Sequence, residues 1–391
     1  MLNRKVRIDF DAKKTFTFSV VSYLVLSTYS FPQSPVLNLG DLMIAFGILM
    51  CVLQNGLTYF SINTGMLPWI GLLLGRLCLG IIFEDVNGAV IINTLHSLWA
   101  LCVLCIFVPS YFDLELGKKQ LRIIMLCASG IVILQYIGMH FGLYLDGRIP
   151  YFIANTAYFD NMHQRPFAFF SEPSTFGWQA MIYLITELFG KKINKKTMCY
   201  AIITIVAVFM TKSSAGYIFI AMTAGLWVIF ELPCYKRNKI QNFIIIFPVL
   251  IVLALLVLSS MDGVEYFIQH IFGNNGEIWG NGITQRTDGN SQLWNLMMQG
   301  SVKGFIFGQG MVELEAFSGG VARSVAFWGL VGIIIMGFNQ MQFFIKTNVQ
   351  GKALLICHWI YNFLGACLVG VYPLVYMPFV LMNKPQKECS S

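Results

Sequence analysis

Asn161-Met162-His163-Gln164-Arg165-Pro166-Phe167-Ala168-Phe169-Phe170-Ser171-Glu172-Pro173-Ser174-Thr175-Phe176-Gly177-Trp178 is the stretch on which the reading of the chain turns. It begins polar and basic, gathers aromatics, and reaches the helix-start signal Ser171-Glu172-Pro173 just ahead of a long apolar run. A carboxylate at the lip of an apolar helix is expensive unless something uses it. Arg165, seven positions earlier, supplies a cationic partner. The stretch reads as the rim of a site, placed where a water-facing loop dives back into a membrane.

Composition says why the surroundings are a membrane. Of the 391 residues, 57% are apolar and only 12% charged, and the mean hydropathy is +0.67. That leaves too few polar groups to cover a soluble fold of this length. The net charge of +7 lies in short basic blocks between apolar runs, which is how a membrane protein records its orientation, so no nucleic-acid partner is expected. Nearly all of the ten cysteines sit in or beside apolar runs, and no disulfide framework is implied. Cys102 and Cys105 form a CxxC in mid-span, where thiols serve as small apolar fillers.

In chain order, apolar runs fall at about 15–31, 41–60, 66–83, 88–109, 121–145, 169–189, 198–212, 214–232, 242–260 and 322–345, with an apolar tail at 353–382. Most are near the ~20 residues that cross a bilayer as a helix. The first run, behind Arg4, Lys5, Arg7, Lys13 and Lys14, is read as a helix entering from the cytoplasm rather than a cleaved signal. Alternate threading then puts Lys118, Lys119 and Arg122, the Lys191–Lys196 block, Lys236, Arg237 and Lys239, and Lys346 and Lys352 all inside. Lys384 and Lys387 ask for an inner C-terminus, so the tail must cross twice, broken near Pro373 and Pro378. The expected fold is all-α, a polytopic transmembrane helix bundle of 11–12 spans with 12 favoured, forming one domain over 1–391. Two larger outer loops, 146–168 and 261–321, complete it, the second carrying a short interfacial helix at 291–299.

Seven cations remain that orientation does not explain: Arg76, Arg148, Arg165, Lys212, Arg286, Lys303 and Arg323. Arg76 lies about midway along its run, where a charge faces a ligand or a structural ion partner. Lys212 sits at an outer helix end, as an anchor or a ligand contact. His163 is two residues from Arg165 and is read as a substrate contact or an ordinary loop histidine. The 261–321 loop is itself acidic, so an anion there must be met by a particular cation, and Arg286 is the candidate. Arginine forks and a helix N-terminus both suit phosphate oxygens, which makes a pyrophosphate at the interface the ligand this chemistry fits. Phe167, Phe169, Phe170, Phe176 and Trp178 serve either as sugar-stacking faces or as packing.

Arg165-Pro166-Phe167 with Phe169-Phe170-Ser171-Glu172-Pro173-Ser174 and Phe176-Gly177 resembles the signature of Wzy-type O-antigen and capsular polysaccharide polymerases, a family of polytopic bacterial membrane proteins. Thr211-Lys212-Ser213-Ser214-Ala215-Gly216, the Gly308-Gln309-Gly310 turn and Phe327-Trp328-Gly329-Leu330-Val331-Gly332 resemble further parts of its outline. The chain departs from the family's Arg-to-Gly spacing of about ten residues, since Gly177 lies twelve after Arg165 and Gly300 fourteen after Arg286.

The resemblance implies an enzyme of the inner membrane that joins oligosaccharide repeats carried on undecaprenyl pyrophosphate, by glycosyl transfer at the outer face. It implies no cofactor and no metal, and a chain-length regulator as a candidate partner. Under it, Arg165, Arg286, Lys212, Arg76 and His163 hold substrate, and Glu172 is the catalytic base or, alternatively, orients an arginine. Two rival readings stay open. An O-antigen ligase would use a loop histidine such as His270, and a flippase would move the lipid-linked sugar without chemistry.

Overall fold

The computed structural model describes residues 11–31, 34–56, 60–83, 88–143, 145–147, 153–154, 165–190, 193–231, 291, 302–308, 320–364 and 371–383. Within these the chain is overwhelmingly helical. Four helices, Thr64–Ile82, Gly88–Tyr111, Leu114–His140 and Arg323–Lys346, are long and apolar enough to cross a membrane. Large apolar side chains point outward along them and their neighbours, among them Ile82, Ile123, Leu134, Phe338 and Ile345, all more than half exposed. A soluble protein does not tolerate so much apolar exterior.

The expected apolar runs become α1 (Ala12–Leu26), α2 (Leu39–Asn55), α3 (Leu67–Phe83), α4 (Gly88–Cys102), α5 (Val108–Tyr111), α6 (Leu114–His140), α7 (Pro173–Leu188), α8 (Lys195–Met210) and α9 (Ser214–Phe230). After α10 (Val302–Phe307) come α11 (Gly320–Lys346), α12 (Val349–Leu364) and α13 (Pro373–Leu381). Side-chain caps set several starts: Asp113 accepts from Leu116 N at 3.0 Å, Asn194 from Thr197 N at 2.8 Å, and Ser213 from Gly216 N at 3.2 Å. Between α4 and α5 the turn widens to a π-helix over Val103–Phe107. There Cys105 O accepts from Asn63 N at 2.8 Å, and its thiol bonds Asn63 O, as a structural filler would.

Helix pairs are drawn together by small residues and by polar clasps at their ends. α1 lies along α2, with Gly47 so close that a Cβ would sit 2.8 Å from Ser19 Oγ. At the end marked by Lys13, Lys118 and Lys195, Arg122 forks onto the fully buried Glu187, with Nε to Oε1 at 2.8 Å and the second bond at 3.1 Å. Glu231 closes the same end by accepting from Gly190 N at 2.8 Å. Gln350 donates to Ile185 O and Thr186 O, and Asn383 in turn donates to Gln350.

That last network places the end of α13 beside the start of α12, so the tail is a helical hairpin. Its second arm starts at Pro373 and runs through Pro378 unbroken, so of the two expected break points only the first acts. The expected run at 242–260 and the interfacial helix beyond Ser291 lie outside the described residues.

One feature is absent from the sequence reading. Between α1 and α2, β1 (Tyr29–Phe31) and β2 (Ser34–Asn38) pair antiparallel, and β1 also pairs with β3 (Ile153–Ala154) from the first large loop. The sheet sits at the end of the bundle opposite the basic residues and ties that loop to the first hairpin.

Replacing Arg122 by Ala strands the Glu187 carboxylate in the core, and the expected loss is ~3–5 kcal/mol of stability. The pair Arg122→Met with Glu187→Met recovers most of it. Thermal unfolding of the detergent-solubilised variants reads both values, and an unperturbed Arg122→Ala would refute the clasp.

Candidate functional site

The 165–178 stretch enters the bundle as irregular backbone, and irregular backbone at a membrane's edge must find its hydrogen bonds inside the protein. Gln135, buried on α6, supplies them. Its Oε1 accepts from Phe167 N at 3.1 Å and Ala168 N at 2.8 Å, while its Nε2 donates to Leu145 O at 3.0 Å and Ala168 O at 3.2 Å. Ala168 takes a φ of 57°, which a Cβ disfavours, and the amide holds it there from both sides. Gly147 lies against the Ala168 carbonyl with no room for a side chain. Tyr29 of β1 fixes the residue after Ala168, its hydroxyl donating to Phe169 O at 2.6 Å. Phe167, Phe170 and Phe176 are buried, so these rings pack rather than offer faces.

With the loop fixed, Arg165 reaches the far end of α8. Its Nη2 donates to Lys212 O at 2.9 Å and its Nε to Thr211 O at 3.4 Å, a cation on the carbonyl end of a helix. Lys212 itself holds a φ of 52°, the left-handed position after a helix that usually goes to glycine. Two residues on, α9 begins, and Gly216 meets Gly177 of α7 so closely that a Cβ on Gly177 would lie 2.7 Å from Gly216 Cα. The segments around 165–177 and 211–216 therefore form one assembly at the end of the bundle opposite the basic clasps.

Glu172 is the N-cap of α7 in extended conformation, with Pro173 at the first helical position as expected. Its side chain does not cap the backbone and instead accepts the Ser174 hydroxyl, while Ser171 and Thr175 share a hydrogen bond at 3.1 Å. Both Glu172 and Arg165 are partly exposed, at the rim. Arg76 belongs to another part of the bundle: it is buried on α3, which packs on α4 and α11. Arg286, His163 and His270 lie outside the described residues. Gly308 and Gly329, from two separate stretches of the sequence outline, meet where α10 ends against a kink in α11, each at positive φ.

Below Glu172 the same end of the bundle is aromatic. Trp178 donates to His358 Nε2 at 2.9 Å, and its ring adjoins Tyr361 and Tyr372. His358 Nδ1 donates to Leu354 O at 2.6 Å, which fixes the imidazole as a neutral tautomer, and its face stacks on Tyr376 at 3.6 Å. Sequence reasoning missed Gln135, His358 and a further pair, Asp41 and His96. For two of them the signal was available: Gln135 and His358 are each a lone polar residue inside an apolar run. Among the described residues no three His, Cys, Asp or Glu side chains gather as a metal ion would need.

Fold and exterior together define a multi-span helical membrane protein with a polar, aromatic rim at one end. No protein-family model matches the chain. No curated protein matches it either.

Changing Gln135 to Leu removes four hydrogen bonds and leaves two buried N–H groups unpaired, at ~1–3 kcal/mol for each stranded group. Amide exchange at Phe167 and Ala168 is expected to rise about a hundredfold, the equivalent of ~3 kcal/mol. Unchanged exchange would mean that the loop is held by something else.

Proposed function

We propose that this chain polymerises undecaprenyl-pyrophosphate-linked oligosaccharide repeats into surface polysaccharide at the outer face of a bacterial inner membrane. The observation that carries the reading is the pair of bonds from Arg165 to Thr211 and Lys212, 46 and 47 residues away. The two stretches that resemble the polymerase signature, separate in sequence, meet at one rim, and the Gly308–Gly329 contact joins two more of its parts. The α12–α13 hairpin supports a tail that crosses twice, and so twelve spans.

In this reading the acceptor sugar's hydroxyl oxygen attacks the anomeric carbon of the growing chain, and its proton passes to Glu172. The bond from that carbon to the pyrophosphate oxygen breaks, and the pyrophosphate leaves on its lipid with the bonding electrons. Fixed cations stabilise the developing charge without a metal. Lys212 is held for this task by Arg165, with Arg286 and His163 as the remaining substrate contacts, while Arg76, buried in another part of the bundle, is left out of the site.

Glu172→Gln keeps an oxygen for Ser174 and so preserves the fold. Cells carrying it should display single repeat units and no polymer, and normal polymer would remove the assigned role. Polymer that forms but stays on its lipid carrier after deletion of the protein would identify a ligase instead. Lys212→Gly relieves the left-handed backbone and should raise stability by ~1 kcal/mol while cutting chain growth at least tenfold. Full chain growth in that variant would reduce Lys212 to an anchor.

A further inference from the structure

Arg323 is a cation that orientation does not explain and that the mechanism above does not use. It lies in the first turn of α11, whose other end carries Lys346 next to Thr347, part of the clasp with Asn383. Arg323 therefore stands at the rim end of the bundle. Two local effects count against a cation there: the outer side of a membrane disfavours basic residues, and the positive end of a helix dipole repels them. The residue is partly exposed, so its charge opens toward the outside rather than being sealed in the core.

Tyr372, just before α13, is within electrostatic reach of Arg323 and of Tyr23 on α1. Its ring meets Trp178 of α7 edge-on, with the ring centres 5.9 Å apart. Trp178 is fixed in turn by its bond to His358 and lies against the partly exposed Tyr361. Tyr372 thus has protein from α1, α7 and α11 around it and still keeps 47% of its surface open. A tyrosine that only anchors the bilayer interface faces outward from the bundle, whereas this one stands where helices converge. Snorkelling to a lipid headgroup explains an arginine at the interface, but not its pairing with that ring. Along α7, Trp178 follows Glu172 by six residues, about 9 Å of helix rise, which is on the order of the span of a sugar ring with its phosphate.

We propose that Arg323 and Tyr372 form a glycosyl-phosphate subsite on the rim, Arg323 meeting the phosphate oxygens and Tyr372 the ring of the first sugar. Arginine presents phosphate with two parallel N–H donors, and an open aromatic face suits the C–H side of a pyranose. Neither half alone makes the site: the cation selects an anion, and the ring beside it selects an anion that carries a sugar. The subsite rests on the proposed function for its place in chain growth, where it seats the phosphate-bearing end of a lipid-linked repeat unit beside the Glu172 rim. Its existence is tested separately.

The probe is N-acetylglucosamine 1-phosphate, compared with inorganic phosphate and with the methyl glycoside of N-acetylglucosamine. Titration calorimetry is run on the full chain in detergent. The sugar phosphate is expected to bind more tightly than either half. Arg323→Gln should weaken it about tenfold or more, and Arg323→Lys less, since lysine keeps the charge but loses the fork. Arg323→Lys also keeps the test open should the glutamine variant fail to fold, which melting temperatures report. Tyr372→Leu should weaken the sugar phosphate about threefold and leave inorganic phosphate unchanged. No binding of the sugar phosphate, or binding that ignores both residues, overturns the subsite. So does binding that depends on Arg323 but not on Tyr372, which makes the arginine an anchor for lipid headgroups. Lipid-linked repeat units supplied to the same variants separate the two proposals. Sugar-phosphate binding that depends on both residues, without any chain growth by the unmodified protein, retires the polymerase and keeps the subsite. Full chain growth by Arg323→Gln and Tyr372→Leu retires the subsite alone.

Discussion

A single amide, Gln135, sets the geometry of the rim. A bilayer offers no water to an unpaired peptide group, so a chain that re-enters without regular structure must be served by the protein itself. Gln135 serves two N–H groups and two carbonyls of the 145–168 segment, and holds Ala168 in a backbone conformation its side chain disfavours. Arg165 follows three residues before that point, and its reach to the end of α8 depends on the loop being fixed there. The start of α7, and with it Glu172, follows four residues after. The catalytic reading of the rim is therefore a reading of groups positioned by one side chain on a neighbouring helix.

The two ends of the bundle use their polar groups differently. At the basic end Arg122 forks onto Glu187, and Gln350, Asn383 and Asn348 close a network around the helix ends. Such an end is a clasp. The opposite end carries exposed Tyr372 and partly exposed Arg165 and Glu172. The short sheet adds rigidity there by joining the first hairpin to the first large loop.

The helices were legible because apolar length and caps are local properties. The runs expected at 66–83 and 214–232 became Leu67–Phe83 and Ser214–Phe230 nearly residue for residue, and Pro173 marked the start of α7. The β1–β3 pairing was not legible, since strands of three and two residues carry no periodic signal and their partners lie more than a hundred residues apart. Arg122 shows a subtler miss. It reads as an orientation marker among Lys118 and Lys119, yet it is also half of a buried ion pair, because Glu187 is invisible as a partner until two helices lie antiparallel.

Taken alone, the sequence determined that the chain is a helical membrane protein, where most of its described helices lie, and which stretch breaks the pattern to form a rim. Hydropathy, charge placement and capping act over a few residues, and so can be read in order. Only the tertiary structure decided which polar residues are buried in ion pairs and amide networks and which stay at the rim. Glu187 and Glu172 are both glutamates of one helix end or the other, and nothing local separates them. Packing sets Glu187 fully buried against an arginine fork and leaves Glu172 at the edge, because the partner arrives from a helix 65 residues away in the chain.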